Sequence, residues 1–162
     1  MNRQVRRVSA MRGCAWLLGG AFGLATLAAC QRAAVPAPPQ YFPSGIPEAP
    51  FSAAVRVGDT VYLSGQIGLS ADGSLPQDFT EQARQTMSNV GAVLKQAGLD
   101  FNDVFKCTVM LTDMSHWGDF NRIYVGYFAA GHLPARSALG ANGLAKGAQL
   151  ELECLARARP AG

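Results

Sequence analysis

Between Phe51 and Arg157 the spacing of apolar residues changes period in a fixed order, and that order leaves few architectures open. Phe51–Val57 and Thr60–Ser64 are short strand-like runs around Gly58-Asp59, a hairpin signal. Asp78 and Glu81 then stand at the spacing of a capping box. Ala83, Met87, Val90, Leu94 and Ala97 recur by four, three, four and three residues, the stripe of a helix that buries one face. Gly98 followed by apolar Leu99 predicts its stop. Val104–Leu111 reads as an apolar strand. A second helix is expected from an N-cap at Ser115 to about Ala130, packing through Trp117, Phe120, Tyr124, Tyr127 and Phe128. Pro134 opens another strand and Ala148–Arg157 forms the last. The order ββαβαββ predicts an α+β fold with both helices on one face of the sheet. Val61, Leu63, Leu150 and Leu152 are expected on the opposite face, where self-association would cover an apolar set.

The start of the chain does not share this pattern. Arg3, Arg6, Arg7 and Arg12 form a basic stretch without an acid, and Cys14–Leu27 is an apolar run shorter than a membrane span. Leu27-Ala28-Ala29-Cys30 ends it in small residues, as a secretory signal does. The same four residues resemble the bacterial lipoprotein lipobox, which implies that Cys30 becomes the first mature residue and carries acyl chains. A plain cleaved signal or an N-terminal anchor helix is the alternative. Gln31 rather than Asp after Cys30 implies the outer membrane, facing the periplasm; Arg6-Arg7 leaves twin-arginine export open. Residues 31–50 hold six of the nine prolines and are expected to be an extended tether. The expected organisation is thus a leader over 1–29, a lipidated cysteine and tether over 30–50, and a folded domain over 51–159.

Removing the leader changes the charge. The chain counts 14 Lys+Arg against 11 Asp+Glu, and without the four leader arginines the balance is 10 against 11. No basic stripe remains to point to nucleic acid. Of the four cysteines, Cys107 and Cys154 fall in apolar strands and read as two buried thiols, although an exported compartment permits a disulfide. His116 and His132 have no companions at metal-ligand spacing, so no metal site is expected.

The chemistry concentrates in Pro134–Glu153. Arg136 stands in a short strand, a Gly-rich turn follows, and Leu150-Glu151-Leu152-Glu153 alternates so that the leucines share one side and the glutamates the other. Arginine grips a carboxylate through two parallel N–H bonds, and glutamate orients or deprotonates a water. On two strands joined by a tight turn the pair would converge on one pocket, or simply form a cross-strand ion pair.

Pro134-Ala135-Arg136-Ser137, Leu139, Gly143-Leu144 and Leu150–Glu153 together resemble the C-terminal signature of the Rid family, enamine/imine hydrolases known as reactive intermediate deaminases. Ser64-Gly65-Gln66-Ile67, Gln82–Val90 and Phe120–Tyr124 are similar to further segments of that family in the same order, so the likeness spans about 50–156. The resemblance implies a chorismate-mutase-like fold with two helices on one face of a mixed sheet, and a homotrimer with clefts between subunits. It implies hydrolysis of 2-aminoacrylate- or 2-iminopropanoate-type intermediates to keto acid and ammonia, without cofactor or metal. Arg136 would clamp the substrate carboxylate and Glu151 would activate water. Phe51, Ser64, Gly65, Asn121 and Ala138 would line the substrate site. Two departures stand out. Phe51 replaces a tyrosine common in the family and loses its hydroxyl, and Ala138 stands where many members carry cysteine. The competing reading is a non-catalytic trimeric envelope lipoprotein that binds small carboxylates or acts like a chaperone.

Overall fold

The computed structural model describes residues 37–159; the leader, Cys30 and the first part of the tether lie outside the described residues. Seven strands and two helices follow in order: β1 (Gln40–Pro43), β2 (Ser52–Val57), β3 (Thr60–Leu63), β4 (Gln66–Ile67), α1 (Phe79–Gln96), β5 (Val104–Leu111), α2 (Trp117–Tyr124), β6 (Ala135–Gly140) and β7 (Leu150–Arg157). The ββαβαββ order is present, with two short strands added. One mixed sheet runs β1-β2-β3-β7-β5-β6, and β4 continues along β7 beyond β3.

Local signals set the helix boundaries. Asp78 caps α1 by accepting from the Glu81 N–H at 3.0 Å. At the other end Gly98 takes φ 73°, and Leu99 and Gly98 donate back to Leu94 and Lys95 at 2.9 and 3.0 Å, a Schellman turn. The face of α1 through Ala83, Met87, Val90 and Leu94 is fully buried against the sheet. The second helix departs from expectation at both ends. Ser115 is not its cap: Asp113 accepts from the Ser115 N–H and starts a 3-10 turn over Met114–His116 that feeds α2. Helical structure ends with a 3-10 turn at Val125–Tyr127, short of Ala130, because Phe128 turns extended. There its ring packs against Phe101 and Tyr124 at 5.5 and 4.6 Å.

Three further expectations are corrected. Val61, Leu63, Leu150 and Leu152 lie in the core beneath the helices, not on the opposite face, which carries Tyr62, Glu151, Glu153 and Leu155 instead. The proline-rich segment does not stay wholly outside the sheet: Gln40–Pro43 pairs with β2 and buries Phe42, so the sheet begins before Phe51. Pro43 is tolerated there because β1 is an edge. Finally, Cys107 and Cys154 face each other across β5 and β7 with Cα atoms 4.1 Å apart, and they form a disulfide rather than two free thiols. The bridge is buried in the core.

Candidate active site

Arg136 and Glu151 are not on neighbouring strands. β5 lies between them, pairing with β6 in parallel and with β7 antiparallel. Residues 141–149 cross the end of β5, where Ala141 donates to Leu111 and Thr112 to Gln149. The connection is a crossover rather than the tight turn expected from its glycines. Register also separates the two side chains by face. Arg136 stands beside Cys107 and so in line with Cys154, on the side of the helices. Glu151 stands beside Met110, in line with Leu139, and points to the uncovered side. Within a single chain the two groups are therefore candidates for separate half-sites, and the cross-strand ion pair does not form.

The first half-site lies between β6 and α2. Trp117, Phe120, Asn121 and Tyr124 recur at helical spacing and turn one face toward the edge strand. The Arg136 guanidinium carbon sits 4.3 Å from the centre of the Trp117 ring and 4.5 Å from that of Tyr124, with Phe120 at 6.0 Å. Arg136 Nη2 donates to Asn121 Oδ1 at 2.6 Å, so Asn121 faces the arginine instead of solvent. Arg136 Nη1 and the Tyr124 hydroxyl are both buried without a partner. Burial pushes the Tyr124 phenol up to about 12 against a smaller opposing effect of Arg136, so it remains a protonated donor. Trp117 and Tyr124 read from sequence as core residues. Their spacing about Asn121, at 117, 121 and 124, is the signal that links them to the arginine.

The second half-site lies where β3 gives way to β4. The Ser64 hydroxyl donates to the Ser52 carbonyl at 2.7 Å and its N–H to Ala53, tying the break to β2 and to the segment that carries Phe51. Glu151 pairs with Ile67, and a methyl group added at Gly65 would fall on Glu151 Oε1. Gly65 thus acts by what it lacks: the carboxylate occupies the space of its missing side chain. Asn89, on α1, holds the next turn by donating to the carbonyls of Ile67 and Leu69 at 2.8 and 2.9 Å. Phe51 is 53% exposed, an aromatic wall open to solvent, and Ala138 is exposed on the edge strand.

Among the described residues no cluster of three His, Cys, Asp or Glu is placed to hold a metal. His116 stacks on Phe79 with ring centres 4.1 Å apart, a packing role.

A mixed sheet with two helices on one face, an arginine on its edge strand and a glutamate over a glycine define the class. Residues 43–158 match the endoribonuclease L-PSP family, and the chain belongs to it, as the Rid resemblance implies. Within that family it is 46% identical over 109 residues to a mouse protein named 2-iminobutanoate/2-iminopropanoate deaminase, covering 66% of this chain and 80% of the mouse protein. The human protein of the same name is 42% identical, with 66% and 79% covered. Among solved structures, RidA from an Antarctic Psychrobacter superposes with a TM-score of 0.65 at 36% identity, covering 72% of this chain and 94% of that one.

Proposed function

We propose that this chain hydrolyses the imines of small 2-oxo acids to keto acid and ammonia, at sites completed between copies of the chain in a homotrimer. Arg136 pairs with the substrate carboxylate, and Glu151 of a neighbouring copy holds the attacking water. As water adds to the protonated imine carbon, Glu151 takes one of its protons and a carbinolamine forms. Glu151 returns that proton to the amine nitrogen. The C–N bond then breaks as the hydroxyl oxygen re-forms a carbonyl, releasing ammonia and leaving the hydroxyl proton to solvent. Positioning supplies most of the acceleration, since a carboxylate anchor and an aimed water remove orientational freedom before reaction.

The observation that carries this reading is a guanidinium held with one nitrogen unengaged, together with a carboxylate seated over Gly65, in a chain 46% identical to a named deaminase. Assembly is supported by the half-sites' opposite faces and by apolar side chains on the uncovered side, including Tyr41, Tyr62 and Leu139. An envelope address with lipid on Cys30 is supported by the leader's composition and by a disulfide suited to an oxidising compartment. Mass spectrometry of the membrane-extracted protein tests it by locating acyl chains on Cys30.

The central test generates 2-iminobutanoate with an amino-acid oxidase and follows keto-acid release. Wild type accelerates release, Arg136→Ala loses at least about a hundredfold in kcat/KM, and Glu151→Gln loses turnover while retaining 2-oxobutyrate binding. Binding without turnover in the wild type would favour the carboxylate-binding module, a reading motivated by the hydroxyl missing at Phe51.

A further inference from the structure

We infer that Trp117 and Tyr124 are positioning residues, which fix the plane of the Arg136 guanidinium against their rings so that Nη1 is the edge left for a carboxylate. The inference rests on the carboxylate-binding role of Arg136 proposed above and extends it to residues whose obvious role is core packing. An arginine on an edge strand ordinarily samples many rotamers, and a ligand that binds it must freeze them. Here three contacts restrict it before any ligand arrives. Trp117 and Tyr124, with centres 4.3 and 4.5 Å from Cζ, set the plane. Asn121, accepting from Nη2 at 2.6 Å, sets the rotation within that plane. A lysine could not be held in this way, because only a flat, forked cation can lie against the rings while one arm bonds Asn121 and the other stays unengaged.

What the clamp leaves over is informative. Nη1 is a charged donor, buried and without an acceptor, and the neighbouring Tyr124 hydroxyl is a second buried donor without one. Buried donors in native proteins nearly always find partners, and a charged one does so with the largest gain. A carboxylate oxygen supplies an acceptor of the matching sign. The two parts of Tyr124 are separable: its ring lies against Arg136, and its hydroxyl is a buried donor still without an acceptor.

Nitrogen-15 NMR of the arginine side chains in the full mature chain, without ligand, tests the clamp directly. The Nη resonances of Arg136, assigned by their loss in Arg136→Lys, should be distinct in wild type because rotation about Cζ–Nε is hindered. They should merge in Trp117→Leu and stay distinct in Trp117→Phe, which keeps a ring. In the imine assay Trp117→Leu should raise KM about tenfold, with a smaller change in kcat, and Trp117→Phe should recover most of it. Tyr124→Phe should keep the resonances distinct yet weaken 2-oxobutyrate binding severalfold. Merged resonances in the wild type, or distinct ones in a folded Trp117→Leu with unchanged KM, overturn the inference. If Trp117→Leu does not fold, the wild-type resonances and Tyr124→Phe still decide it. The resonance measurement stands whether or not the imine is hydrolysed, so failure of the deaminase reading and failure of the clamp give different results.

Discussion

The two candidate half-sites of this chain are built by opposite means. Around Arg136 the protein adds material: two aromatic rings, an amide oxygen and the whole inner face of α2. Around Glu151 it takes material away, seating the carboxylate in the space over Gly65 on a sheet face that carries no helix. The difference follows from the ions themselves. A guanidinium is weakly hydrated and flat, so aromatic surface can replace much of its water. A carboxylate is acceptor-only and strongly hydrated, and it keeps its water until something brings donors to it. The cationic half is thus preorganised within one chain, whereas the anionic half is left ready for whatever closes over it.

Removing what the halves share should have the largest effect. The disulfide joins β5, against which the Arg136 strand pairs, to β7, which carries Glu151. With the cysteines 47 positions apart in the chain, the double variant Cys107→Ala/Cys154→Ala should lose about 4 kcal/mol of unfolding free energy in denaturant titration. KM and kcat should worsen together. A change confined to one of them would mean that β5 is not the common frame. Next comes Gly65→Ala. The added methyl meets the flexible end of Glu151 rather than backbone, so stability should hardly change while kcat drops about a hundredfold from a misdirected water. Binding of 2-oxobutyrate, read by calorimetry, should stay near the wild-type value because the arginine half is untouched. The complementary change is Asn121→Leu, which removes the acceptor from Arg136 Nη2 and should raise KM about tenfold, the loss expected for one hydrogen bond to a charged group. If it lowers kcat instead, the two halves do not act separately.

The smallest effect lies far from both. The Asp100 carboxyl is held below its ordinary range, first by its hydrogen bond from Arg159 and then by the Asn102 N–H. Its folded pKa is therefore depressed, so this increment of stability is present above the ordinary carboxylate value and disappears as pH falls through the folded one. Arg159→Met should lower thermal stability slightly at pH 7, converge with wild type near pH 2, and leave both kinetic constants alone.

Elements governed by nearby residues were legible in the sequence. The α1 stripe, its Asp78 start and its Gly98 stop depend on contacts within a few residues, and the structure has them where the spacing puts them. The alternation of β7 likewise separated its leucines from its glutamates, but did not show which of the two sides meets the helices. What could not be read was the order of strands across the sheet. That β5 would lie between the strands carrying Arg136 and Glu151, and so turn their side chains to opposite faces, depends on pairings between residues about 30 to 50 positions apart. The disulfide was hidden for the same reason. Phe42 shows another limit: in a segment rich in proline, one buried ring and a free strand edge suffice to form β1. Asn121, Ser64 and Gly65 came from family resemblance, not from spacing, because a polar residue on a short helix or a glycine beside a strand has too many ordinary uses.

The strand that carries Arg136 is also the last in its sheet, and this bears on position 138. β6 pairs only with β5 among the described residues, so alternate peptide groups along its outer margin meet no other strand. On the function proposed above, a ligand held by the guanidinium would run past main-chain amides that belong to no residue type. Recognition of that kind is indifferent to the side chain it runs past, so an alanine at 138 serves it as well as the cysteine that the family pattern implies.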